Sequence, residues 1–241
     1  RPVVTPRPIG LLLGLNGSQN PFSGTDTYKS IADLPLNQRV IEMKKEDIKN
    51  KILSEDPIKG STFPLINRIG YSQMYRFGSP PNYNPKPEHS IESLAKVSGV
   101  SSAELAYDIL LENEGNNFIY APLVNYADHT FGVCQKMLED KNAIMGLGDG
   151  GAHVGFILDA GYPTWLISYW SVKKKVFSME ETIRRLTSDT ASAAGLQDRG
   201  LLKVGLKADI NIIDWEKVGS SDPFMTQDLP AGGKRLMQHT H

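Results

Sequence analysis

The chain has 241 residues, 40% hydrophobic and 22% charged, an ordinary globular balance with enough length to bury a sizeable core. Its 26 basic and 27 acidic residues leave a formal net charge of −1, and the one short basic run, Lys173-Lys174-Lys175, is too small for a phosphate-tracking surface, so nucleic acid is excluded as a partner. No apolar stretch reaches the roughly 18 residues of a membrane span; the longest, residues 9–15, is strand-sized, so no membrane partner is expected.

Residues 3–15, "VVTPRPIGLLLGL", read as a buried strand entered through Pro6 and Pro8. Residues 16–35 have loop chemistry. Residues 36–54 set Val40, Ile41, Met43, Ile48 and Ile52 among charges, which predicts an amphipathic helix or two short ones. The stretch "FGSPPNYNPKPEHS" holds four prolines and forms no regular element. Tyr71, Tyr75, Phe77 and Tyr83 would be wasted in a solvated linker. They predict a loop packed over the mouth of a larger scaffold, with 16–90 as a loop-rich insert.

Residues 90–97 read as helix. A second helix follows, capped by Ser101 or Ser102, with Glu104 in its first turn and Gly115 as its stop. "NFIYAPLVNY" is a candidate strand, 130–140 a helix with Cys134 as a small core residue, and "KNAIMGLGD" a short buried strand. One cysteine forms no internal disulfide and permits a reducing compartment, so a cytoplasmic location is the expectation. Residues 179–194 form a helix with a Ser178/Glu181 capping box and Gly195 as terminator. Helices alternating with short apolar strands predict an α/β architecture with parallel strands. Residues 208–214 alternate between apolar and polar, which predicts hairpin-like β structure in a separate piece.

The stretch "MGLGDGGAHVG", residues 145–155, carries two incompatible messages. Gly146, Gly148 and Gly151 spell the G-x-G-x-x-G of a dinucleotide-binding turn, which makes a phosphate- or nucleotide-binding module one reading. That fingerprint wants an acidic residue about 20 positions on, and "LISYWSVKKK" offers none. Asp149 would also put a negative charge inside a pyrophosphate cradle built from backbone N–H groups. A plain glycine turn capped by Asp149 explains one or two glycines, not four around an acid with His153 four residues later. Glycines clear space where a ligand approaches closely. The favoured reading is therefore a carboxylate at the C-terminal tip of a strand, able to take a proton from water and return it to a leaving group.

Three stretches resemble the amidohydrolase superfamily, and within it N-acyl-D-amino-acid deacylases. "IMGLGDGGAH" resembles the eighth-strand motif with its aspartate. "TSDTASAAGLQDRGLLKVGLKADINIIDWEKV" resembles the exit from the barrel into a small β-sandwich, and "PAGGKRL" the end of that sandwich. The resemblance implies the C-terminal part of a (β/α)8 TIM-like barrel over residues 1–198 and a partial β-sandwich over 199–241. It implies one or two divalent metals, zinc being usual, and hydrolysis of the amide of an N-acyl amino acid, with Asp149 as general acid/base on metal-activated water. Asp149 is also a metal ligand in some members. Gly150 and His153 are implied to contact the substrate.

The metal donors the resemblance implies elsewhere have no counterpart in this sequence: an H-x-H pair after the first strand, a Lys, Glu or Cys after the fourth, and histidines after the fifth and sixth. His239–His241 has the H-x-H spacing but follows the sandwich motif, and His89 and His129 read as surface or capping residues. A zinc site needs at least three converging protein ligands. The chain, which starts at Arg1 without an initiator methionine, therefore reads as part of a longer protein, inactive alone, with an oligomer left open. A substrate carboxylate calls for an arginine, and Arg7, Arg68 and Arg76 are the candidates, Arg7 first. A non-catalytic barrel relative is the remaining alternative.

Overall fold

The computed structural model describes residues 1–146, 148 and 151–240. The first strand signal divides into β1 (Val3–Val4) and β2 (Ile9–Gly14), with Pro6 and Pro8 in the break, because proline cannot donate into a ladder. Residues 26–54 carry α1 (Asp26–Ile31), α2 (Leu36–Met43) and α3 (Glu46–Ser54), so the predicted loop at 16–35 contains one short helix capped by Thr25. Then come α4 (Leu65–Ile69), β3 (Tyr75–Arg76), α5 (Ile91–Ser98), α6 (Ser102–Gly115), β4 (Phe118–Val124), α7 (Gly132–Glu139) and β5 (Ile144–Met145). The chain closes with α8 (Tyr162–Trp165), which continues as a π-helical segment to Lys173, then α9 (Met179–Leu186), α10 (Ser188–Ala193), β6 (Phe224–Leu229) and β7 (Gly233–Met237).

This is a mixed α/β chain whose strand directions depart from expectation. β2 pairs antiparallel with β4, β4 pairs antiparallel with β3, and among the described residues only β1 and β5 run parallel. The described strands do not close into a barrel. An unbroken apolar run reports that both faces of a strand are covered; it carries no information on the direction of the neighbour. Leu11 and Leu13 enter one core with Met43, Tyr107 and Ile119, while Leu12 enters a second with Tyr120, Tyr162 and Trp170. The β2–β4–β3 sheet is thus the wall between two cores.

The proline-rich loop packs as its aromatics predict: Phe77 and Tyr83 are buried, and Tyr126 Oη donates to the Pro85 carbonyl at 2.6 Å. Cys134 is buried, and burial pushes its thiol up to about 11, which leaves it inert. Residues 199–214 correct the sequence reading. No strand forms there, and Ile212 is 99% exposed. An alternating pattern becomes a strand only against a partner edge and a face to bury it. The hairpin lies further on, in β6 and β7, turned by Pro230, Ala231 and Gly232 and crossed by the Arg235–Asp228 pair at 2.7 Å.

Four helices, α1, α5, α6 and α9, start on a side-chain cap. Ser101 Oγ accepts from Glu104 N and Ser178 Oγ accepts from Glu181 N, each satisfying one orphan donor of a first turn. The Glu181 carboxylate does not complete a capping box; it pairs with Arg185 at 2.8 Å. The predicted helix over 179–194 breaks at Thr187 (φ −123°, ψ −86°). The right-handed part of α6 ends before Gly115, since Glu112 is extended and Asn113, Glu114 and Gly115 are all left-handed.

Gly115 has φ +83°, and a Cβ there would sit 2.6 Å from Val40 Cγ2 and 3.1 Å from Leu36 Cδ1, on the α2 side of the first core. Gly195 has φ +75° with nothing within 4 Å. Gly195→Ala is expected to lose only the left-handed penalty, on the order of 1 kcal/mol. Gly115→Ala adds overpacking and is expected to lose about 2–4 kcal/mol in total. Urea unfolding of both variants checks this; equal losses would show that α2 yields without cost.

Candidate active site at the end of β5

β1 and β5 are held in register as Val3↔Ile144 and Val4↔Met145, and Gly146 N extends the ladder by donating to Val4 O at 3.0 Å. A Cβ at Gly146 would stand 2.6 Å from Val3 Cγ1, and one at Gly148 would stand 3.3 Å from the Asp159 carbonyl oxygen. A side chain at Gly146 would press on Val3 and one at Gly148 would crowd the Asp159 carbonyl, so the close approach seen here is by the protein's own atoms, where the sequence pattern suggests a ligand. Asp149 and Gly150, the catalytic and substrate-contact residues expected from sequence, lie outside the described residues, as does Leu147.

Downstream, the motif is tied to three elements. Ser18 N donates to Gly155 O at 3.0 Å, Leu12 N to Phe156 O at 2.8 Å and Leu236 N to Val154 O at 2.7 Å. These bonds pin residues 154–156 to β2, to the loop after it and to β7. His153 is exposed, left-handed at φ +49°, and its ring stacks on Phe156 with centroids 5.3 Å apart. A histidine in the left-handed region is uncommon, and here the backbone presents its side chain outward.

A groove of about 920 Å³ opens beside the end of β5. Met145, Gly146 and Gly148 line it from the strand, Ile183 and Leu186 from α9, and Ile212 from the extended segment. Its walls mix apolar side chains with four threonines, Asn211 and Asp214, and the two glycines are half-buried. Such a surface accommodates an acyl chain or another apolar group next to the motif.

Arg7 follows β1 and is only 3% exposed. Its guanidinium pairs with Asp159 (3.1 Å, 4% exposed), donates to the Leu158 carbonyl at 2.7 Å and stacks 3.9 Å over the Tyr83 ring. Burial works against its charge, but Tyr83 and Asp159 outweigh that and hold the pKa above the ordinary arginine value. Arg7 also lines a small pocket of about 130 Å³ with Tyr83, Trp165 and Gln238. Its positive charge is already matched by Asp159, so its first task is to join the end of β1 to the segment that returns from the glycine motif. Arg76 pairs with Glu112, and Arg68 is exposed at the end of α4. Arg68 and Arg76 do not line the β5 groove.

Among the described residues, no group of three or more His, Cys, Asp or Glu gathers closely enough to hold a metal ion. His129 is engaged elsewhere: its Nδ1 lies 3.0 Å from Tyr75 Oη. His239 lies against Phe224, and His241 is outside the described residues.

A family model for the amidohydrolase family matches residues 63–229, which is 167 of the 241. The chain belongs to the amidohydrolase family. Neither the comparison with curated proteins nor that with solved structures returns a match. The amidohydrolase match spans β3 to β6 and includes the glycine motif, the groove walls from α9 and the 211–214 segment. Family membership assigns hydrolase chemistry and a family that generally depends on metal. The described residues contain no donor set that fits that metal. Sequence reading missed Asp159, because an aspartate in "FILDAGYP" carries no motif; only the fold reveals that it faces Arg7.

Proposed function

We propose that this amidohydrolase hydrolyses the amide of an N-acyl amino acid, with the D-series as the first substrates to try. The carrying observation is the glycine motif at the end of β5, inside the family match and bordered by a partly apolar groove. In this reading Asp149 takes a proton from the attacking water as its oxygen bonds to the amide carbonyl carbon. The same carboxyl then delivers the proton to nitrogen as the C–N bond breaks, giving a carboxylic acid and a free amine. The acyl chain occupies the groove against Ile183 and Leu186. Arg7, paired to Asp159, keeps the return segment after the motif in place rather than binding substrate directly. The zinc dependence and the eight-stranded barrel implied by the sequence resemblance belong to this proposal, as does a cytoplasmic, small-molecule setting without a nucleic-acid partner.

Incubation of the intact protein with N-acetyl-D- and N-acetyl-L-amino acids, with primary amine followed by a fluorogenic reagent, tests the reading. Release of amine from at least one series, scaling with protein, is expected. No release across both series, with divalent metal supplied, overturns it and favours a non-catalytic relative of the family.

A further inference from the structure

A second cavity, of about 300 Å³, lies on the other side of the return segment, where the loop after β2 meets α1, α2 and β7. Its polar lining comes mainly from Ser18, Gln19, Asn20, Thr62, Arg39 and Lys234. Among the described residues, its twelve lining positions include two cations and no Asp or Glu. Arg39 is 9% exposed. It donates to the Leu15 carbonyl at 2.7 Å, to Tyr28 Oη at 3.2 Å and to the Leu34 carbonyl at 2.9 Å, all neutral acceptors. Its Nε is enclosed without a hydrogen-bond partner, and none of the ion pairs among the described residues includes it.

A buried guanidinium without a counter-charge is costly, and Arg7 shows how this fold otherwise settles that cost, with Asp159 at 3.1 Å. Arg39 has the opposite arrangement: neutral acceptors hold it in place, one donor is idle, and a polar cavity lies beside it. The remaining lining fits an acceptor-rich guest. Gln19 Nε2 reaches Thr62 Oγ1 at 3.4 Å, and its buried Oε1 has no partner. A half-turn of that amide would let Thr62 donate to its oxygen and free its NH2 for another acceptor. Lys234 is exposed and adds a second positive charge at the rim.

We propose that this cavity binds the carboxylate of a small organic acid, with Arg39 as the counter-ion. The site adjoins the proposed active centre through the Ser18 N to Gly155 O bond. If the deacylase reading holds, one source of the carboxylate is the amino-acid end of the substrate; the other is a separate acid acting as an effector. The binding claim itself stands on Arg39 and its cavity and does not require turnover.

Calorimetric titration of the intact protein with isovalerate, beside its neutral isostere 4-methylpentan-2-one, provides the test. Saturable binding of the acid and none of the ketone is expected. Gln19→Glu supplies an internal carboxylate of nearly the same shape and is expected to weaken isovalerate binding at least tenfold with the fold kept. Lys234→Gln, at an exposed position, is expected to weaken it a few-fold and to flatten its salt dependence. No binding to the wild type, equal binding to Gln19→Glu, or a preference for inorganic phosphate over isovalerate each overturns the proposal. Isovalerate competing with an N-acetyl amino acid in the amine-release assay identifies the substrate as the source. Binding without competition identifies an effector, and binding in a protein that releases no amine separates this site from the deacylase reading.

Discussion

Replacing Arg7 by methionine is expected to lower the unfolding free energy by about 3–5 kcal/mol, because it leaves the Asp159 carboxylate buried without its cation. Both side chains are almost fully enclosed, 3% and 4% exposed, so solvent offers no compensation. The loss includes the stacking of the guanidinium on Tyr83 and its bond to the Leu158 carbonyl. Lysine is no substitute, since a point charge cannot serve Asp159, Leu158 and the Tyr83 face together. Removing both charges, Arg7→Met with Asp159→Leu, is expected to recover most of the loss, since an apolar pair of similar volume is tolerated where a half-pair is not. Urea unfolding of the single and double variants reads this directly. A double variant as unstable as the single would assign the effect to lost packing around Tyr83, not to the orphaned charge.

What could be read from the sequence divides along the range of the interactions involved. The Ser101 and Ser178 caps were legible because each oxygen serves a donor three residues away in the same chain segment. The burial of Tyr83 was legible because a large ring in a proline-rich loop has few other ways to be useful. The antiparallel pairing of β2 with β4 was not, since Leu11, Leu12 and Leu13 are covered on both faces whichever way the neighbour runs. The strand expected at 208–214 failed for the converse reason: the alternation is real, but no described strand pairs with it. In the site, the glycines at 146 and 148 were legible as positions of close approach, but not that the neighbours are Val3 and the Asp159 carbonyl in place of a ligand. Arg39 was not, because in "PLNQRVIEMKK" it looks like one more charge on an amphipathic helix. Only packing decides that this guanidinium turns under the loop after β2 while Asn37 and Gln38 beside it face water.

Asp149→Asn is expected to reduce kcat for amide hydrolysis by roughly 10²–10⁴-fold, the range that a positioned proton-transfer group supplies. Asparagine keeps the size and polarity of the side chain but can neither accept the proton from water nor pass it to the leaving nitrogen. With that size kept, the fold around β5 is expected to be kept as well. KM should change little, because the lost interaction belongs to the transition state. The pH profile gives a second reading. A carboxylate base must be ionised to act, so wild-type kcat/KM is expected to fall on the acid side as it protonates. That limb should be missing from the residual activity of the variant. Turnover at the wild-type rate would remove Asp149 from the mechanism. Nucleotide binding that Asp149→Ala leaves unchanged or strengthens would instead return the glycine motif to a phosphate-binding role.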